Sequence, residues 1–139
     1  MGEVKIKVEL ENFVDRVKAR EGALAEDDVR SFETEAMVDT GAVMCLLPRD
    51  VVEYLGVEPR SNVIVSLADE RKEEMPICDG ITWKIGDRSA TLPSLIGPPR
   101  CEPLIGQIVL EVLDLLVDCP GKRLVPNPDS PIYPSLKLK

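Results

Sequence analysis

The chain of 139 residues contains no histidine, and that absence removes whole classes of chemistry. A serine or cysteine nucleophile of the usual kind needs an imidazole to take its proton, so neither Ser-His-Asp nor Cys-His can be assembled. A zinc site would have to use all four cysteines or recruit carboxylates. Those cysteines, Cys45, Cys78, Cys101 and Cys119, are widely spaced and form no CxxC pair. They read as buried, reduced thiols, and neither a metal nor a cofactor is expected. Positive charge is also in short supply. Lys and Arg number 17 against 25 Asp and Glu, for a net charge of -8. With a pI near 4.6, the chain lacks the basic footprint that a phosphate backbone demands, so nucleic acid is not the expected partner. No apolar run approaches the roughly 20 residues that span a bilayer, so no membrane partner is expected either. Met1-Gly2-Glu3-Val4-Lys5 has neither the length nor the hydrophobicity of a secretory signal, and Met1-Gly2 does not complete a myristoylation signal. A soluble, cytoplasmic protein is the expectation.

What remains narrows the options. Any hydrolytic chemistry must run on carboxylates, lysine, tyrosine or an added metal. A hydrophobic content of 44% is enough for one core without disulfides, and the length suits a single domain over residues 1–139. Val4, Ile6, Val8 and Leu10 alternate with Lys5, Lys7 and Glu9, the period of a strand with one wet face. Asn12 reads as the N-cap of a short helix with Phe13, Val14 and Val17 on one face, ending near Gly22. Residues 1–30 are thus a strand followed by an excursion. Strand patterns recur at residues 32–38, 43–47, 62–67, 74–78, 81–85, 90–95, 115–117 and 123–125, separated by Gly and Pro turns. Residues 50–55 and 107–113 have helical spacing. Trp83 on its alternating strand reads as core, and Asp114 and Asp118 as solvated strand ends. Residues 127–139 form a proline-rich tail, expected to be mobile or engaged only in a dimer. Many short strands imply an all-β fold, a closed sheet with one or two short helices.

One segment carries a more specific pattern. Ala36-Met37-Val38-Asp39-Thr40-Gly41-Ala42 places Asp-Thr-Gly between two apolar runs. Downstream, Leu104-Ile105-Gly106 leads into a short helix. The two signatures in this order, with a hairpin and further strands between them, resemble the retropepsin-like aspartic proteases over residues 32–125. The resemblance implies an acid-protease-type barrel, one lobe of a homodimer, that hydrolyses peptide bonds. Peptide hydrolysis without metal or covalent nucleophile needs an activated water and a proton donor. Two carboxyl groups about 3 Å apart cannot both ionise easily, so they share one proton. The ionised member takes a proton from water, and the protonated member donates to the scissile carbonyl. This chain offers one such motif, so its twin must come from a second copy.

By the same resemblance Asp39, Thr40 and Gly41 are the catalytic residues. Thr40 would bond across the dimer, and Gly41 would let backbone approach the paired carboxylates. Ala42 and Leu104 would line the substrate cleft, and Gly106 would let the second loop pack beside the first. A hairpin tip at Leu67, Ala68 and Asp69 would close over a peptide or protein substrate. The sequence departs from the family at two places. The tip, Ala68-Asp69-Glu70-Arg71-Lys72-Glu73, contains no glycine. Gln107 and Val43 stand where retroviral members pair an arginine with an aspartate, so a contact that steadies the active-site loop is expected to be missing. A catalytically inactive binding or dimerisation module on the same fold is the alternative, and a carboxylate-based, metal-dependent hydrolase a third.

Overall fold

The computed structural model describes residues 3–138. Met1, Gly2 and Lys139 lie outside them, and with them the Met1-Gly2 start and the last residue of the tail. The fold is mostly β, and its centre is a closed barrel of six strands. Strand β1 (Lys5–Asn12) runs antiparallel to β2 (Ser31–Val38), from Lys5 opposite Met37 to Glu11 opposite Ser31. After β2 and the Asp39 turn come β3 (Cys45–Pro48), β4 (Pro59–Ser66), β5 (Lys72–Ile85), β6 (Arg88–Gly97) and the two-residue β7 (Leu104–Ile105). Around the barrel the order is β1, β2, β7, β3, β6, β5 and back to β1. The β2–β7 and β3–β6 pairs are parallel, and the others antiparallel. Strands β8 (Leu115–Asp118) and β9 (Arg123–Pro126) form a separate ribbon.

Closure depends on β5. Its sequence reads as two strands, 74–78 and 81–85, but the structure makes one strand of 14 residues with a register shift between Cys78 and Ile81. Gly80 sits in the shift at φ 91°, a left-handed conformation that side chains resist. The first half of β5 pairs with β4, and the second half turns to pair with β1 from Glu9–Lys84 to Asn12–Ile81. One strand therefore serves both the barrel and a hairpin that extends from it. That hairpin matters later, because β4 pairs with no strand but β5 among the described residues.

The core is the inner face of these strands. Leu10, Leu47, Leu55, Ile81, Trp83, Ile105 and Val109 are fully buried. The Trp83 indole N–H donates to Ser94 Oγ at 3.1 Å, so the largest core side chain carries no unpaired polar atom. Cys45 and Cys78 are also fully buried, and desolvation pushes both thiols up to about 11. The expectation of buried thiols fails for the other two cysteines. Cys101 is half-buried and Cys119 exposed, the second on the open turn between β8 and β9.

Among the described residues there are three short α-helices, α1 (Phe13–Arg20), α2 (Arg49–Tyr54) and α3 (Gln107–Leu113), where one or two were expected. The N-terminal excursion supplies the extra one, and it packs by polar contacts. Phe13 and Val14 stay 39% and 54% exposed, while Asp15 is buried. Asn12 caps α1 through the Asp15 N–H and donates Nδ2 to Leu55 O at 2.7 Å. Asp15 takes a two-pronged grip from Arg30, at 2.8 and 3.0 Å, and a third bond from the Arg30 backbone N–H. Glu11, likewise buried, binds Arg16 and Lys84.

These carboxylates tie stability to pH. Arg30 holds Asp15 down to about 2, and Arg16, ahead of Lys84, holds Glu11 below its ordinary value. A depressed carboxylate contributes its stability above the unfolded value and loses it as pH falls through the folded one. For Asp15 that window runs from about 4 to about 2. Asp15→Asn is expected to cost roughly 1–2 kcal/mol at neutral pH, since Arg30 is half-exposed and screened by solvent. The cost should shrink toward pH 2. Urea denaturation of both proteins at neutral pH and near pH 2.5 measures this; an equal cost at both would contradict it.

Candidate active site

The Asp39 turn is built by local chemistry and then held by a distant segment. β2 delivers the chain to Val38, whose N–H bonds Val4 O at 2.8 Å, and Asp39 N–H bonds Ile105 O at 2.9 Å. The Ala42 N–H closes the turn onto Asp39 O at 3.1 Å. The Gly41 N–H donates to Asp39 Oδ1 at 3.0 Å, the side-chain-to-backbone bond that makes Asp a good turn residue. Asp39 and Ala42 are half-buried, and Thr40 and Gly41 are exposed. Val43, next in line, is 69% exposed; it lies outside β3, which starts only at Cys45.

The second signature lies against the first. β7 is inserted between β2 and β3, with Leu104 opposite both Met37 and Leu46 and Ile105 opposite Val38. Leu104 is half-buried and Ile105 fully buried. Gly106 then passes so close to the Asp39 loop that a Cβ there would lie 2.3 Å from Met44 O and 2.8 Å from Val43 O. Both obstacles are backbone atoms, so no side chain fits. Gly41 differs: a Cβ there would sit 3.4 Å from Asp39 Oδ1, an ordinary contact. Within one chain, close packing demands glycine at 106 and not at 41.

Helix α3 opens directly onto the loop. The Gln107 N–H donates to Ala42 O at 2.8 Å and the Ile108 N–H to Val43 O at 2.9 Å. The Gln107 side chain adds a bond from Nε2 to Thr40 O at 2.9 Å. This corrects the expectation of a missing contact. An uncharged amide steadies the loop through a backbone carbonyl, which needs no acidic partner at Val43. Sequence reading missed this role because it looked for a charged pair; the signal available was a side-chain donor directly after the glycine.

The hairpin residues stand apart. Leu67 N–H bonds Arg71 O at 2.8 Å, and Glu70 N–H bonds Leu67 O at 2.9 Å. Asp69 binds the Arg71 guanidinium at 2.5 Å. The tip thus lacks glycine but keeps a tight turn, with Glu70 forced to φ 68°. Leu67 is half-buried, and Ala68 and Asp69 are exposed. Among the described residues, no hydrogen bond joins this tip to the Asp39 loop. Of the expected site residues, the fold brings together Asp39, Thr40, Gly41, Ala42 and Leu104; it leaves Leu67, Ala68 and Asp69 on a separate element. Two surface depressions lie around Gly56–Pro59, and Asp39 lines neither. Among the described residues, no group of three or more Cys, Asp or Glu side chains is placed to hold a metal.

The two glycines make a paired test. Gly106→Ala must push backbone apart and should cost roughly 1–3 kcal/mol or more. Gly41→Ala should change stability by less than about 1 kcal/mol. Chemical denaturation of both variants measures the difference; equal costs would contradict the close approach at Gly106.

No protein-family model and no curated protein matches this chain.

Proposed function

We propose that the chain is one subunit of a homodimeric aspartic endopeptidase, in which the Asp39 carboxylates of two copies meet across a two-fold axis. The observation that carries this reading is the junction of the two signatures. An Asp-Thr-Gly turn at the end of β2 is bonded along its length to the start of α3, beside Leu104-Ile105-Gly106. Such a turn is held by those bonds while Thr40 and Gly41 stay exposed. Among the described residues only one carboxylate oxygen of Asp39, Oδ1, is engaged within the chain. Thr40 is exposed, its hydroxyl available to a second copy.

In the dimer, one Asp39 carboxylate takes a proton from a water molecule as the oxygen attacks the peptide carbonyl carbon. The other, protonated, Asp39 gives its proton to the carbonyl oxygen. Collapse of the tetrahedral diol breaks the C–N bond, with a proton passing to the leaving nitrogen, and the shared proton is restored. Ala42 and Leu104 flank the reacting position with small and apolar surface. The β4–β5 hairpin, with Leu67, Ala68 and Asp69 at its tip, covers an extended peptide or protein substrate and excludes water. One feature favours the inactive binding module: the hairpin tip is polar and its turn is strained at Glu70.

Asp39→Asn should lower cleavage of a peptide library by at least about 10²-fold, while solution mass and folding are unchanged. A variant that cleaves as well as the parent would overturn the assignment of Asp39. A parent that dimerises but cleaves nothing from mildly acidic to neutral pH would favour the binding module.

A further inference from the structure

The far end of α3 is fastened by a buried cation. Arg88, the first residue of β6, is 4% exposed. Its Nη1 donates to Leu113 O at 2.8 Å and to Asp114 O at 2.9 Å, and its Nη2 to Ser130 O at 2.5 Å. Asp114 ends the helix in a left-handed conformation at φ 53°. It is not the solvated strand end its sequence suggested. Its backbone O accepts the Asn127 N–H at 3.1 Å. Its carboxylate accepts Asn127 Nδ2 at 3.2 Å, the Ser135 N–H at 3.0 Å and the Ser130 hydroxyl. The tail is therefore fastened as far as Ser135, against the expectation of a mobile segment from residue 127. Beyond Ser130, Ile132, Tyr133, Leu136 and Leu138 are exposed.

We infer that Arg88 and Asp114 are positioning residues for the Asp39 loop, acting through α3. The helix has seven residues, a length of about 10 Å, and its Val109, Leu110 and Leu113 are buried. Just ahead of its first turn, Gly106 leaves no room for even a Cβ beside the backbone of Met44, which limits movement of α3 toward the loop. Withdrawal would stretch the bonds from Gln107 and Ile108 to Thr40, Ala42 and Val43. The clamp at Leu113 and Asp114 opposes withdrawal, because the buried Arg88 guanidinium and the Leu113 carbonyl it pairs would otherwise lose their partner in the interior. Strand β6 anchors both sides of the arrangement. It carries Arg88 at its start, and its other end pairs with β3, from Cys45–Ser94 to Pro48–Gly97. The loop, α3, Arg88, β6 and β3 form a closed circuit of contacts. The loop-positioning claim concerns only this chain's own bonds; its catalytic consequence rests on the endopeptidase reading.

Amide hydrogen exchange on Arg88→Met in the full chain tests it. The Gln107 and Ile108 amides, which donate into the loop, should exchange at least about 10-fold faster than in the parent, beyond any change shared with amides of the β4–β5 ladder. Combined with Gln107→Ala, the effect on Ile108 should be smaller than the product of the two single effects, since both act on the same contact. Should Arg88→Met not fold, Asp114→Asn keeps the carbonyl that Arg88 uses, weakens the tail contacts, and should speed the same two amides. Exchange that changes only in step with the whole molecule, or effects that simply multiply, would overturn the positioning role. On a cleaved peptide the same variants should lower kcat with KM little changed. Selective exchange with unchanged kcat would overturn the catalytic consequence alone, whereas an inactive parent would overturn the endopeptidase reading and leave the exchange result to decide the positioning.

Discussion

Gly106 lies against the backbone of Met44 with no room for a side chain, and the rest of the site depends on that contact. It joins two segments that are distant in sequence. It brings the start of α3 within bonding distance of Thr40, Ala42 and Val43, so the Asp39 turn is supported along its length and not only at its ends. A turn held only by its own Asp–Gly bond would sample many arrangements. One seated on a helix and wedged beside a strand is fixed in advance, which is the condition that the proposed acid–base chemistry between two carboxyls needs.

The barrel exists to make that contact repeatable. β7 has two residues, too few to stand alone, yet it is wedged between β2 and β3 and positions Gly106. Closure through the bend in β5 keeps β2 and β3 at a fixed spacing while releasing the first half of β5 to the hairpin. The polar packing of α1 serves closure too. Lys84 on β5 bonds Glu11 on β1 at 3.0 Å, beside the seam where those strands meet, and Arg16 links the same carboxylate to Glu26. Protonating a carboxylate whose folded pKa is depressed costs stability, so the contacts beside this seam weaken in strong acid.

Much of this was readable before the structure. Strand patterns located β1, β4 and β6 to within a few residues, and Asp-Thr-Gly between apolar runs marked the turn. What escaped reading depends on partners far away in sequence. Two strand patterns interrupted by Asp79-Gly80 are one strand, because a left-handed glycine bends a ladder without ending it. Phe13 and Val14 suggested an apolar face, but Asp15 turned inward because Arg30 was there to meet it. The tail looked loose because its composition is proline-rich, and its anchors, Arg88 and Asp114, lie in other elements. Gln107 went unrecognised for the same reason: its acceptor is a backbone carbonyl, which leaves no mark in the sequence.

The proposed chemistry requires two copies of one carboxyl to act on one substrate, so a ligand shaped like the tetrahedral intermediate should need two chains to bind it. Calorimetric titration with a statine-type transition-state mimic reads that stoichiometry directly. One inhibitor for every two chains is the predicted result. One inhibitor per chain, or no binding at all, would contradict the account.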